Sequence, residues 1–180
     1  MATSLFNSKL INAIRKSLLE RKETISVAES VTSGMLQLAF STANKAIYFY
    51  QGGITAYNLG QKTRHFNIDP IYATECNCVS EKTVSEMALQ VCRLFSSDWS
   101  IAVTGYASPV PESGNKLFTW YAISYHGQIV LIQKISLQKG NPFEVQLAYS
   151  NQILLSFNEF LQKGKTARKK VKKAKGAKEQ

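Results

Sequence analysis

Ile25-Ser-Val-Ala-Glu-Ser-Val-Thr-Ser-Gly34 is the stretch on which the fold reading turns. Alternation from Thr24 to Ala28 predicts a short strand. Small polar residues follow. Thr32 to Thr42, carrying Met35, Leu36, Leu38, Ala39 and Phe40, then predicts a buried helix. A strand running straight into a helix puts Ser30 at the helix mouth, with Glu29 just before it. Backbone N–H groups are unpaired there and the charge is partly positive, so the mouth suits a phosphate or the oxyanion of acyl transfer. The plainer alternative is that Ser30 or Thr32 merely caps the helix, and spacing alone favours it.

Outward from this stretch the elements alternate. Leu5, Ile11, Ile14, Leu18 and Leu19 recur at helical spacing and predict an amphipathic helix over about 4–22. Gly52 to Tyr57 predicts a second strand. A short helix is expected over 61–66, ending before Asp69-Pro70. Ser80, followed by Glu81 and Thr83, marks the start of a helix reaching about Ser96. Trp99 to Val103 reads as a strand entering Thr104-Gly105, and residues 107–115 read as a loop from their Pro, Gly, Ser and Asn. Two β-rich runs, 117–125 and 129–137, flank a turn at His126-Gly127-Gln128. A last helix fills about 142–161, since proline suits a first helical position. Early strands separated by helices and a late hairpin predict one α/β domain over residues 1–162, a three-layer α/β/α sandwich with a mixed sheet.

The net charge of +10 is concentrated at one end: nine Lys or Arg lie between Lys163 and Lys178. Without residues 163–180 the chain has 13 basic and 11 acidic residues, nearly neutral. A basic, disordered tail is therefore expected over 163–180, a solubility device or a weak, salt-sensitive contact for nucleic acid. It lacks aromatics, which argues against base stacking. No apolar run is long enough for a membrane span and no signal-peptide core is present, so the reading is a cytoplasmic protein without membrane contact. Three cysteines, Cys76, Cys78 and Cys92, are too few and too odd for a disulfide framework. No cluster of His, Asp and Glu has metal-ligand spacing, so neither metal nor cofactor is expected. His65 and His126 read as surface residues.

Ala28 to Gly34 resembles the A-E-S-C-T-G-G motif of the CinA C-terminal-domain family, which includes the nicotinamide-nucleotide amidases. The similarity continues through Tyr48 to Tyr57 (Y-F-x-G-G-V-x-A-Y), Lys62 (the Lys of Y-S-N-E-x-K), Val79-Ser80-Glu81 (A-V-S-E) and Ala102 to Gly105 (A-x-T-G). It covers roughly residues 5–160. The resemblance implies hydrolysis of the carboxamide of nicotinamide mononucleotide to acid and ammonia, with Ser30 as nucleophile, Lys62 as its base and Tyr57 beside them. It also implies a nucleotide pocket lined by Glu29, Thr32, Ser33, Gly34, Thr104 and Gly105, and a homo-oligomer. Ser–Lys pairing is a known variant of triad chemistry, and it requires a partly desolvated lysine.

The chain also departs from the family pattern. Ser33 stands where the motif has a glycine, and Val31 where it has a cysteine. A glycine-rich loop becomes Ser108 to Gly114, gaining Glu112. Gln146 stands where the family tends to carry an arginine, losing a bidentate phosphate contact. Two functions follow: an amidohydrolase with altered nucleotide recognition, or a homologue that has lost catalysis and serves as a binding or assembly module.

Overall fold

The computed structural model describes residues 5–176, and the side chains of residues 5–163. Helix α1 spans Ser8–Arg21, opened by Asn7, whose side-chain oxygen accepts from the backbone of Lys9 and Leu10. It leads into β1 (Ile25–Glu29), buried throughout. Then follow α2 (Met35–Ser41), β2 (Tyr50–Thr55), α3 (Leu59–Phe66), α4 (Pro70–Glu75), α5 (Glu81–Leu94), β3 (Trp99–Tyr106), β4 (Leu117–Tyr125), β5 (Gln128–Leu137) and α6 (Pro142–Gly176).

The five strands form one sheet in the order β2-β1-β3-β4-β5. β1 is parallel to both β2 and β3, while β3, β4 and β5 are antiparallel neighbours. The expected mixed sheet of a single α/β domain is therefore present. The β4–β5 turn places both His126 and Gly127 at positive φ, 48° and 71°. That is the backbone twist a two-residue hairpin turn requires.

Successive residues of a strand face opposite sides. On one face Ile25, Val27, Ile101, Val103, Tyr121 and Ile123 meet Ile14 and Leu18 of α1, Leu36 and Phe40 of α2, and Ile153 and Phe157 of α6. The other face is floored with small residues: Ser26, Ala28, Ser100, Ala102, Ala122 and Ser124, all fully buried. Small side chains let α5 lie close on β1, β3 and β4. Two serines exploit the closeness by donating to helix carbonyls, Ser26 to Val91 at 3.2 Å and Ser100 to Ala88 at 2.7 Å. Such bonds satisfy hydroxyls that would otherwise be costly to bury. α3 packs against α4 and α5 on this side, completing the third layer.

The connections set where a ligand can enter. β1 passes to β2 through α2, on the first face; β2 passes to β3 through α3, α4 and α5, on the second. Between β2 and β3 the chain thus changes sides around β1, and a crevice opens at the carboxyl ends of these parallel strands, the usual ligand position in α/β sheets. At the opposite end of the sheet, buried Glu23 accepts from Trp99 Nε1 at 2.7 Å and Tyr125 Oη at 3.0 Å, a purely structural carboxylate.

Three element boundaries differ from the sequence reading. α2 starts at Met35, not Thr32, because Ser33 and Gly34 take positive φ (50° and 96°) and turn the chain first. α3 ends at Phe66, before Asp69-Pro70 as expected, but that pair also opens α4, a helix the sequence reading left out: Asp69 caps it through Ile71 N, and proline occupies the first turn. α6 does not stop near Leu161 but continues to Gly176, through residues rich in helix-favouring Lys, Arg and Ala. It thus enters the segment read as a tail. The basic side chains beyond Lys163, on which the nucleic-acid expectation rests, lie outside the described ones. No helix among the described residues is long and apolar enough to cross a membrane.

Candidate active site

Ser30 follows β1 directly and is 5% exposed. Lys62 lies on the inner side of α3, one turn after Asn58 starts that helix by accepting from Gln61 N. The two side chains, 32 residues apart in sequence, meet: Lys62 Nζ donates to Ser30 Oγ at 3.0 Å. The amine also donates to the Tyr57 carbonyl at 3.3 Å. Lys62 is 3% exposed and makes no ion pair among the described residues. Burial pushes its pKa below the ordinary 10.5, while the nearby Cys78 thiol draws it slightly back. The thiol itself is pushed up by burial. A neutral amine beside a hydroxyl is a base positioned to take its proton.

The pair opens into a cavity of about 380 Å³ at the carboxyl ends of β1 and β3. Tyr57, Thr104 and Gly105 line it. Their parts in it differ. The Tyr57 ring is 72% exposed and its backbone carbonyl, not its hydroxyl, holds Lys62. Thr104 is fully buried and spends its hydroxyl on the Cys78 carbonyl at 2.9 Å, tying β3 to the turn before α5. Gly105 is required by β4: a Cβ there would overlap the Phe118 carbonyl and Thr119 Cα.

Glu29, Thr32, Ser33 and Gly34 do not line the cavity. Glu29 is fully buried and its carboxylate closes the start of α2, accepting from Gly34 N (3.1 Å), Leu36 N (3.2 Å) and Gln37 N (2.8 Å). Thr32 Oγ1 donates to the same carboxylate. The helix mouth read as an open anion site is thus filled by the protein's own charge, which also satisfies the orphan donors of that terminus. Ser30 neither caps α2 nor sits at its start. The resemblance led the sequence reading to place Ser33 against a phosphate; its left-handed φ supplies a conformational reason for glycine at that position instead.

Residues outside the expected set also face the cavity. Asn77 donates to Tyr106 Oη at 3.0 Å, and both line the wall, with Glu112 from the 107–113 loop and Pro142 and Gln146 from α6. Gln146 and Glu112 were visible in the sequence as departures from the family pattern; Asn77, between Cys76 and Cys78, carried no signal. His65 bonds to Gln61 and stays outside the cavity, and His126 lies 3.6 Å from Asp98 in the distant turn. No group of His, Cys, Asp and Glu suited to a metal exists among the described residues.

A family model described as the CinA C-terminal domain matches residues 7–161. The chain belongs to the CinA C-terminal domain family. A CinA-like protein of Prochlorococcus marinus (strain MIT 9515) is 31% identical over 158 residues, covering 86% of this chain and 36% of that protein. A CinA-like protein of Synechocystis sp. is 39% identical over 92 residues, covering 51% of this chain and 22% of that protein. The chain spans about a third of the length of such curated relatives. Among solved structures, the competence damage-inducible protein A of Klebsiella pneumoniae superposes with a TM-score of 0.81 at 25% identity, over 86% of this chain and 96% of that one. A CinA superfamily protein of Escherichia coli shares the fold, with a TM-score of 0.79 at 24% identity, over 90% of this chain and 93% of that one. The CinA fold with its mixed five-stranded sheet is therefore the frame in which Ser30 and Lys62 meet.

Proposed function

We propose that this CinA-family chain is an amidohydrolase, of the nicotinamide-nucleotide-amidase kind, with Ser30 as nucleophile and Lys62 as general base. The observation that carries the reading is the buried 3.0 Å contact between the lysine amine and the serine hydroxyl. A serine hydroxyl is a weak nucleophile until a base removes its proton, and a lysine serves as that base only when desolvated.

The reaction balances with water as the second substrate. Ser30 Oγ bonds to the carboxamide carbon while its proton passes to Lys62. The lysine, now cationic, offsets the negative charge developing on the tetrahedral oxygen. It then returns the proton to the amide nitrogen, the C–N bond breaks and ammonia leaves. Water attacks the resulting ester, giving a proton to Lys62. The Oγ–C bond breaks, Ser30 recovers that proton from Lys62, and the carboxylic acid departs.

The test is ammonia release from nicotinamide mononucleotide and from nicotinamide riboside by the parent protein and by Ser30→Ala. The reading expects release by the parent and background in the variant. Background rates in both proteins with both compounds would instead favour the homologue that keeps the fold as a binding module.

A further inference from the structure

Phosphate recognition is strongest where an unpaired cation or an open helix start faces the ligand. The cavity wall offers neither. Its lysine and carboxylate side chains are Lys62, which is bonded to Ser30 and Tyr57, and Glu112, which is exposed at the mouth. The helix starts near the wall carry caps of their own. Glu29 holds the start of α2. At α6, Pro142 has no N–H, Glu144 N donates to Asn141 Oδ1 at 3.0 Å, and Glu144 Oε2 accepts from Asn141 N at 3.2 Å. At α5, which follows cavity-lining Val79, the Ser80 hydroxyl accepts from Thr83 N and Glu81 adds an acid to the first turn. Among the residues that line the cavity there is thus one exposed carboxylate, Glu112, and no cation besides Lys62. Two tyrosines, Tyr57 and Tyr106, add ring faces or edges to the same wall, and such rings attract cations.

We infer that the cavity selects a carboxamide carried on a cationic, phosphate-free molecule, a pyridinium nucleoside rather than its nucleotide, with Glu112 as the specificity-determining residue. The inference rests on the amidase reading for the carboxamide, but the charge preference is a property of binding and is measured separately from turnover. A ring cation is attracted to Glu112 and to the tyrosine rings; a phosphate dianion meets Glu112 with no cation in the lining but the buried Lys62. Because Glu112 lies in contact with solvent, the discrimination is moderate and falls with salt.

Nicotinamide riboside and nicotinamide mononucleotide, which differ by the phosphate alone, are the probes. Equilibrium binding to the full-length Ser30→Ala protein at low ionic strength is expected to favour the riboside by about three- to tenfold. Raising the salt is expected to narrow that ratio, and so is Glu112→Gln. Gln146→Arg, which adds a cation to the wall, is expected to tighten the mononucleotide specifically. Equal or tighter binding of the mononucleotide to Ser30→Ala overturns the inference, as does a ratio that Glu112→Gln leaves unmoved, or no measurable binding of either probe. Ammonia release by the parent reports on the amidase reading alone: the riboside preference in binding without Ser30-dependent ammonia would sustain the charge selection and remove the amidase.

Discussion

Burial of Lys62 between α3 and the end of β1 is balanced by two hydrogen bonds and no counter-charge. Its proton is therefore held less tightly than that of a solvated lysine. In the proposed reaction the neutral amine is the working form, so kcat/KM for ammonia release should rise with pH through a pKa below 10.5 and level off above it. Lys62→Arg, which stays charged, should lower kcat by about 10²–10⁴-fold at every pH. The same shift bears on stability. Between the lowered folded pKa and 10.5 the unfolded chain binds more protons than the folded one, so the parent gains stability as pH rises through that window. Urea titrations across it should show the slope in the parent and its loss in Lys62→Met. Ser33 supplies a smaller test: its positive φ is strained for a side chain, and Ser33→Gly should raise the urea midpoint, by about 0.5 kcal/mol after the extra freedom of an unfolded glycine is offset.

α2 has only seven residues, too few to be stable by propensity. Its start depends on one buried carboxylate that accepts three backbone N–H groups and one hydroxyl. Glu29→Ala leaves those donors buried and unpaired and should cost about 2–4 kcal/mol in chemical denaturation. Glu29→Gln should cost nearly as much, because an amide nitrogen would then face N–H donors. In both variants the loss should appear first as faster hydrogen exchange at Leu36 and Gln37. A substrate-binding role for Glu29 would instead raise KM and leave the denaturation midpoint in place.

At the scale of the molecule, the sheet's two faces are unequal by design of the sequence: large β-branched and aromatic residues under α1, α2 and α6, and alanines and serines under α5. The closeness of α5 to the sheet fixes the turn before it, where Asn77 and Val79 line the cavity and the Cys78 carbonyl accepts from Thr104. Ser100→Val is therefore a test of architecture. Valine suits a strand, yet it adds volume where the helix backbone is within hydrogen-bond reach and removes the bonds to Ala88 and Ser124. It should lower stability by about 2–4 kcal/mol and, by lifting α5, impair ammonia release as well. A neutral effect on the denaturation midpoint would show that the small-residue floor is not what seats α5.

Periodicity and caps in the sequence by themselves determined the order of strands and helices, the late hairpin and the α/β class, because each depends on neighbours in the chain: alternation in Ile25–Ala28, Ser80 before α5, His126-Gly127 between β4 and β5. The resemblance to the CinA C-terminal-domain family, not spacing, implied that Ser30, Tyr57 and Lys62 belong together, and Asp69-Pro70 held a helix start by the same rule that read Pro142 correctly. Where each side chain points was decided only by the tertiary structure. Glu29 and Ser30 are adjacent in one strand end, and alternation turns one into α2's cap and the other toward a lysine on a different helix. Tyr57 contributes its carbonyl rather than its ring hydroxyl, and Asn77 reaches the wall because β3 carries Tyr106 to it. Contacts of that kind join residues far apart along the chain, so no local pattern encodes them, and the charge of the cavity mouth emerges only when the loop of Glu112 and the start of α6 are folded against the ends of the strands.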